Sequence, residues 1–180
     1  MTRLKTDLKS IWIQTASGLA FHPYAPTADQ ICIEDIAHAL GMICRFGGHC
    51  RRFYSVAEHS VWVSNLVPPT DALAGLLHDA AEVYLCDLPT PIKDELKGYS
   101  RLEFLVTEAI QRKWGLDTGP WPETVQNADL TLLATEKAQL TAPEPRPWQR
   151  LPAPLDIELK CLAPEDAKHA FLRRFRELQK

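Results

Sequence analysis

After residue 26 the apolar residues of this 180-residue chain recur at intervals of three and four, a spacing that restricts the fold to helices packed on helices. Ile33, Ile36, Ala37, Leu40 and Ile43 make the first stripe. Ser55 and Glu58 form a Ser-x-x-Glu capping box, which predicts a helix over about 56–66, stopped by Pro68 and Pro69. A third helix is predicted over about 71–85. A second box, Ser100 with Glu103, opens a helix that ends near Gly115, and Pro122 suits the first turn of one that reaches about 140. The chain closes on an amphipathic helix over about 165–179, with Ala167, Ala170, Phe171, Phe175 and Leu178 on one stripe and Arg173, Arg174 and Arg176 as its solvated face. Ahead of these, residues 10–26 hold short apolar runs around Ser17 and Gly18 and read as a small hairpin or extended arm. The expected fold is all-α, about six helices behind a short N-terminal arm.

One domain is expected from the length, 1–180, large enough to bury a core without disulfides. Within it, 27–142 carries the motifs, 143–155 is a proline-rich loop and 164–180 is the last helix. Five prolines between Pro143 and Pro154 make that loop an extended surface connector, or else a flap with Trp148 and Arg146 as contacts. The net charge of −3 argues against binding a nucleic-acid polymer, though a small anion needs only a local cationic pocket. Cys32, Cys44, Cys50, Cys86 and Cys161 are an odd number without Cys-x-x-Cys spacing and read as free cytosolic thiols. Cys44, His49 and Cys50 lack a fourth partner at zinc-finger spacing. Lys5 and Lys9 precede an apolar run, Ile11 to Ile13, that ends far short of a signal core, and nothing approaches the ~20 apolar residues of a membrane span. A cytoplasmic protein without a membrane partner is expected.

Polar residues with chemistry stand out against the helical pattern. On the third helix Leu73, Leu76, Leu77, Ala80 and Tyr84 share one side, while His78, Asp79 and Glu82 fall on the other beside Gly75, which would let another chain approach closely. Around 125–140, Val125, Ala128, Leu132 and Leu140 set the apolar stripe, and Asp129 and Glu136 fall within it. A carboxylate carried into a core must be paired, neutralised or bound to metal, so Asp129 is read as a ligand and Glu136 as an acceptor for a ligand histidine or an arginine. His59, in the first turn of its helix, completes a set of two imidazoles and two carboxylates with His78, Asp79 and Asp129. Such a mixed nitrogen and oxygen set suits one divalent transition metal, whether Mn, Co, Fe, Ni or Zn. His22, His38 and His169 have no such support.

The words around these residues are more specific than the ligands: Arg45-Phe46-Gly47-Gly48-His49, Tyr54-Ser55-Val56-Ala57-Glu58-His59-Ser60, Leu76-Leu77-His78-Asp79-Ala80-Ala81-Glu82 and Asp87-Leu88-Pro89-Thr90-Pro91-Ile92-Lys93. In this order, across roughly residues 30–140, they resemble the HD-domain metal-dependent phosphohydrolases, above all small 5'-deoxynucleotidases and phage deoxynucleotide triphosphohydrolases. The resemblance implies an HD-domain helical bundle and metal ligation by His59, His78, Asp79 and Asp129. It implies that Glu82 and Asp87 belong to the catalytic site, with Arg45 contacting substrate and Lys93 able to hold phosphate. Phe46 departs from the tryptophan common in the bacterial nucleotidases, and His49 is either a substrate contact or a turn residue. A second divalent ion could enter with the substrate phosphate. Similar proteins assemble, so a homo-oligomer is expected.

The chemistry follows from the residue types. A divalent ion beside two aspartates binds phosphate oxygen and lowers the pKa of its water. Glu82 is placed to align that water and Asp87 to help the leaving oxygen depart. The expected function is release of phosphate from a (deoxy)nucleoside 5'-monophosphate. The alternative is release of triphosphate from a deoxynucleoside triphosphate. A catalytically silent nucleotide or metal sensor is a third reading, against which Glu82 and Asp87 argue. Arg45 and Lys93 are too few cations for a triphosphate unless Arg51, Arg52 or Arg146 is recruited, which favours the monophosphate.

Overall fold

The N-terminal arm is an antiparallel hairpin, β1 (Ile13–Gln14) paired with β2 (Ala20–Phe21) in the register Ile13 opposite Phe21. The computed structural model describes residues 7–148 and 150–180, so Lys5 and, in the proline-rich loop, Gln149 lie outside the described residues. Eight helical segments follow: α1 (Ile33–Met42), α2 (Val56–Leu66), α3 (Ala72–Leu77), α4 (Glu82–Leu85), α5 (Thr90–Lys93), α6 (Tyr99–Lys113), α7 (Glu123–Leu140) and α8 (Pro164–Leu178). The protein is mostly helical, as its spacing predicts. Asp35 of α1 fastens the arm, accepting from both the Ser17 N–H (2.6 Å) and the Ser17 hydroxyl (2.7 Å). Phe21 stacks on Tyr84 beyond it, ring centroids 3.7 Å apart.

The expected third helix is two. Residues 78–81 form a tight turn, in which Ala80 N–H donates to Leu77 O and Glu82 N–H to Asp79 O, three residues back instead of four. Hydrophobic periodicity does not register this tightening, because the stripe continues through it.

α2 runs through the middle and packs against α1, α3, α7 and α8. Burial on several sides is why its residues are apolar or small, with Val56, Ala57, Ser60, Val63 and Ser64 all buried. Gly75 of α3 is the point of closest approach: a β-carbon there would lie 3.2 Å from the Ser64 Cα. One apolar cluster gathers Phe21, Ile36, Leu40, Leu77, Ile110 and Phe171, and a second, with Tyr54, Val63, Val125, Leu132 and Leu159, lies between α2, α7 and the segment before α8.

The helix ends refine the predictions. Ser55 Oγ accepts the Glu58 N–H (3.1 Å) as a cap should. The other half of that box is absent, because the buried Glu58 carboxylate turns to accept from the N–H groups of Lys160, Cys161 and Leu162 at 3.1, 3.1 and 2.7 Å. The second box fails altogether. Gly98, at φ 89°, precedes α6, Ser100 lies within the helix, and Glu103 pairs with Lys93 at 2.7 Å. α6 does end at Gly115, whose left-handed backbone (φ 66°) lets Leu116 N–H reach back to Gln111 O. Pro122 sits just outside α7 instead of in its first turn. Arg173 and Arg176 are exposed, but Arg174 is not a solvated residue: its Nε and NH2 donate to the Ser64 hydroxyl and carbonyl at 2.9 and 3.0 Å.

The proline-rich segment lies along α7, where Leu155 N–H donates to the Thr135 hydroxyl (2.9 Å). Trp148 stands 6.4 Å from the Phe46 ring, and Arg146 is exposed. Among the described residues no helix is long and apolar enough to cross a membrane.

Candidate metal centre

Three helices meet at His59. The Ser55 cap starts α2 so that His59 falls in its first turn, completely buried. α7 lies alongside and presents Asp129 and Glu136, two turns apart, to the two ring nitrogens. Glu136 Oε1 is 2.7 Å from Nδ1, and Asp129 Oδ1 is 3.2 Å from Nε2. The tight turn after α3 supplies the rest. His78 Nε2 lies 3.3 Å from His59 Nε2, and Asp79 reaches both rings, at 3.3 Å to His78 and 3.6 Å to His59. The donor atoms of His59, His78 and Asp129 all lie within 4.8 Å of one another, a cluster that could hold a metal ion.

The donor chemistry fits a cation. His59 Nδ1 faces a carboxylate and His78 Nδ1 faces the Gly75 carbonyl at 2.8 Å, so each Nδ1 must carry the hydrogen. Both Nε2 atoms then turn to each other and to aspartate oxygens, where a cation, either a proton on His59 or a metal ion, is needed between them. Nothing neutral relieves that arrangement, whereas donors held 2.0–2.2 Å from one ion stand roughly 3–3.5 Å apart. The local field acts in the same sense. Burial and Arg45 disfavour charge on His59, yet Glu136 and Asp129 outweigh them and lift it to about 9. Asp129, despite burial, is held below the usual carboxylate range by His59 and His78.

Glu136, fully buried, serves both expected partners at once, accepting from His59 and from Arg45 Nε at 3.0 Å. Arg45 NH1 lies 3.5 Å from Asp79 Oδ2, so Arg45 braces one prospective ligand directly and another through Glu136. Asp129 is less deeply placed than its helical stripe predicts. Its side chain is 37 % exposed at the mouth of the site, and Glu136 is the acid carried into the core.

Glu82 opens α4, buried, with no hydrogen-bond partner for Oε2 among the described residues. Burial, then the nearby Asp79 and Asp87, push its pKa well above the ordinary glutamate value. Asp87 is raised too, chiefly by burial, against the pull of Arg45. Between them Cys86 adopts φ 71° and ψ 150°, a region almost reserved for glycine. Its N–H donates to Glu82 O (2.8 Å) and its carbonyl accepts from Tyr99 OH (3.0 Å), contacts that hold the strained bend.

A cleft of about 440 Å³ opens beside the cluster, lined by His78, Asp79, Glu82 and Asp129 together with Phe104 and Trp121. Ser100, Thr107 and Gln126 add neutral hydrogen-bonding groups. Local sequence patterns mark Ser100 only as a helix cap and give no sign of Thr107, Trp121 or Gln126 as site residues. Phe104 was the one available signal, a large aromatic set on the charged face of its helix and 52 % exposed. Of the expected substrate contacts, Arg45, Phe46, His49 and Lys93 do not line this cleft. His49 is exposed, Phe46 turns toward Trp148, and Lys93 reaches the edge only through Glu103.

No model of a known protein family matches the chain. It is 41% identical over 171 residues to the uncharacterized protein YfdR of Escherichia coli, covering 93% of this chain and 95% of that one. It is 35% identical over 146 residues, 74% of each chain, to an uncharacterized protein of Rhodobacter capsulatus. Identity of that extent, spread over almost the whole of both chains, shows that this protein belongs to the family of YfdR.

Proposed function

We propose that this protein is an HD-type metal-dependent phosphohydrolase that releases phosphate from a (deoxy)nucleoside 5'-monophosphate. The observation that carries the reading is the pair of imidazole Nε2 atoms held 3.3 Å apart beside the Asp79 and Asp129 carboxylates, each ring fixed by a hydrogen bond at its Nδ1. His59, His78, Asp79 and Asp129 would hold the ion. Bound there, a divalent metal supplies charge neutralisation for a phosphate oxygen and a water of lowered pKa. Glu82, whose buried Oε2 has no hydrogen-bond partner among the described residues, aligns the attacking water. Asp87, whose pKa burial raises so that it holds a proton more readily, gives one to the departing ribose oxygen. Phe104 and Trp121, aromatic residues of the same cleft, offer apolar surface for the base of a nucleoside.

The charge of the cleft favours the monophosphate over the triphosphate. Its lining holds Asp79, Glu82, Glu103 and Asp129 and no lysine or arginine, so each further phosphate would add repulsion without a partner. The test is a panel of nucleoside mono- and triphosphates with Mn, Co, Ni, Zn or Fe, with products identified by mass. Inorganic phosphate from a monophosphate is expected. Tripolyphosphate from a triphosphate, with the monophosphate untouched, would replace this reading by the triphosphohydrolase one. Binding of nucleotide and metal without any turnover would identify a sensor. In the active enzyme Glu82→Ala should keep metal and substrate binding while kcat falls by roughly 10²–10⁴. A raised KM at unchanged kcat would move Glu82 into binding.

A further inference from the structure

Two of the five cysteines meet. Cys44 Sγ and Cys50 Sγ lie 3.4 Å apart, both half-buried, and Cys50 Sγ also faces the Arg45 carbonyl at 3.8 Å. Their surroundings differ from those of the other thiols: Cys32 donates to Glu34 at 3.0 Å, and Cys86 is exposed. The two cysteines flank the turn Arg45–Gly48, in which Phe46 and Gly47 are held at φ 57° and 58°. For Phe46 that conformation is costly, so the turn is poised to respond to a change at its ends. Arg45, the first residue of the turn, grips Glu136 and Asp79.

We propose that Cys44 and Cys50 are a reversible dithiol–disulfide pair that fastens the Arg45 turn. A disulfide has sulfurs about 2.05 Å apart, so closing the bond draws these two together by little more than an ångström. The oxidant is a low-molecular-weight disulfide. One protein thiolate attacks it, forming a mixed disulfide and releasing one small thiol. The second attacks the protein sulfur of that mixed disulfide and releases the other. Two protein thiols are oxidised, one small disulfide is reduced to two thiols, and the protons pass to the leaving thiolates. Burial and the adjacent Cys44 push the Cys50 thiol up to about 11, which leaves it little thiolate in either step, so the 3.4 Å contact between the sulfurs is what favours the closing one. The loop it closes is short, so the bond constrains the unfolded chain less than a long-range disulfide would, and its effect is local to the Arg45 turn.

The experiment incubates the full chain with glutathione at graded ratios of disulfide to thiol, followed by alkylation and trypsin. Cleavage after Arg45 and Arg51 puts the two cysteines on different peptides. The expected product is those two peptides joined, two hydrogens lighter than their sum, separated by dithiothreitol and absent from Cys44→Ser. Amide exchange over residues 45–50 should slow several-fold in the oxidised protein. Separate glutathione adducts on Cys44 and Cys50 without a link, or a link to Cys161, would overturn the proposal, as would a link that leaves exchange unchanged. None of these readouts depends on metal binding or turnover, so their outcome is independent of the phosphohydrolase reading.

Discussion

Glu136 is the residue on which most of the site's order rests. It has no exposure, and it divides its two oxygens between an imidazole N–H and a guanidinium N–H. Removing one member of a buried ionic set leaves the others desolvated and unpaired. Glu136→Ala should therefore cost about 3–5 kcal/mol of unfolding free energy in a urea titration. It also frees the His59 ring to change tautomer, so metal affinity should fall about 10–100-fold, the usual effect of losing the partner behind a ligand histidine. Wild-type metal affinity in this variant, measured by competition with a chromogenic chelator, would show that His59 is oriented by something else. The sequence pointed to Glu136 because an acid stood in an apolar stripe. It could not say that Arg45 shares it, because that contact spans 91 residues of chain.

At the scale of elements, the site depends on how closely α3 packs on α2. Gly75 sets that distance: an added methyl would meet the Ser64 Cα at 3.2 Å and the Ser64 N at 3.3 Å, both backbone atoms that cannot swing aside. Gly75→Ala should destabilise the protein by about 1–3 kcal/mol through overpacking, although alanine is the better helix former. Because Gly75 O also holds the His78 ring, the same substitution should weaken metal binding. Stability equal to or above wild type by thermal denaturation would mean the two helices move apart freely. The tight turn over residues 78–81 belongs to the same scale. It reorients Asp79 and Glu82 relative to an unbroken helix, so that both carboxylates face the ligand cluster and the cleft.

For the whole molecule, the metal site ties together segments far apart in sequence: α2, the end of α3 and α7. An ion bound there stabilises the native state alone, by about 2.7 kcal/mol at a hundredfold excess over its Kd. Stripping metal with a chelator should lower Tm by roughly 5–10 °C, and a stoichiometric transition metal should restore it. An unchanged Tm after full removal would mean that the helices converge without an ion's help and that the cluster is held by Glu136 and Arg45. Glu58 makes a second long-range tie. It gathers three N–H groups from residues 160–162 and so anchors the chain leading into α8, one residue before a prospective ligand.

Local signals in the sequence were enough to determine the mostly helical class, the Ser55 cap and the Gly115 stop. Each of these depends on residues within a turn or two of one another, where backbone sterics, capping and periodicity act. The family words marked Glu82 and Asp87 for the same reason, since each lies in a short contiguous string. Tertiary structure alone decided the rest: that Glu58 binds a distant stretch of backbone instead of closing its box, that Arg174 caps α2, that Arg45 braces carboxylates, and that Phe104 and Trp121 line one cleft with the prospective ligands. A charged or aromatic side chain has several partners of nearly equal merit within its own neighbourhood. Which one it takes is set by the helices that packing brings alongside, and by the cost of leaving any buried charge or N–H without a partner.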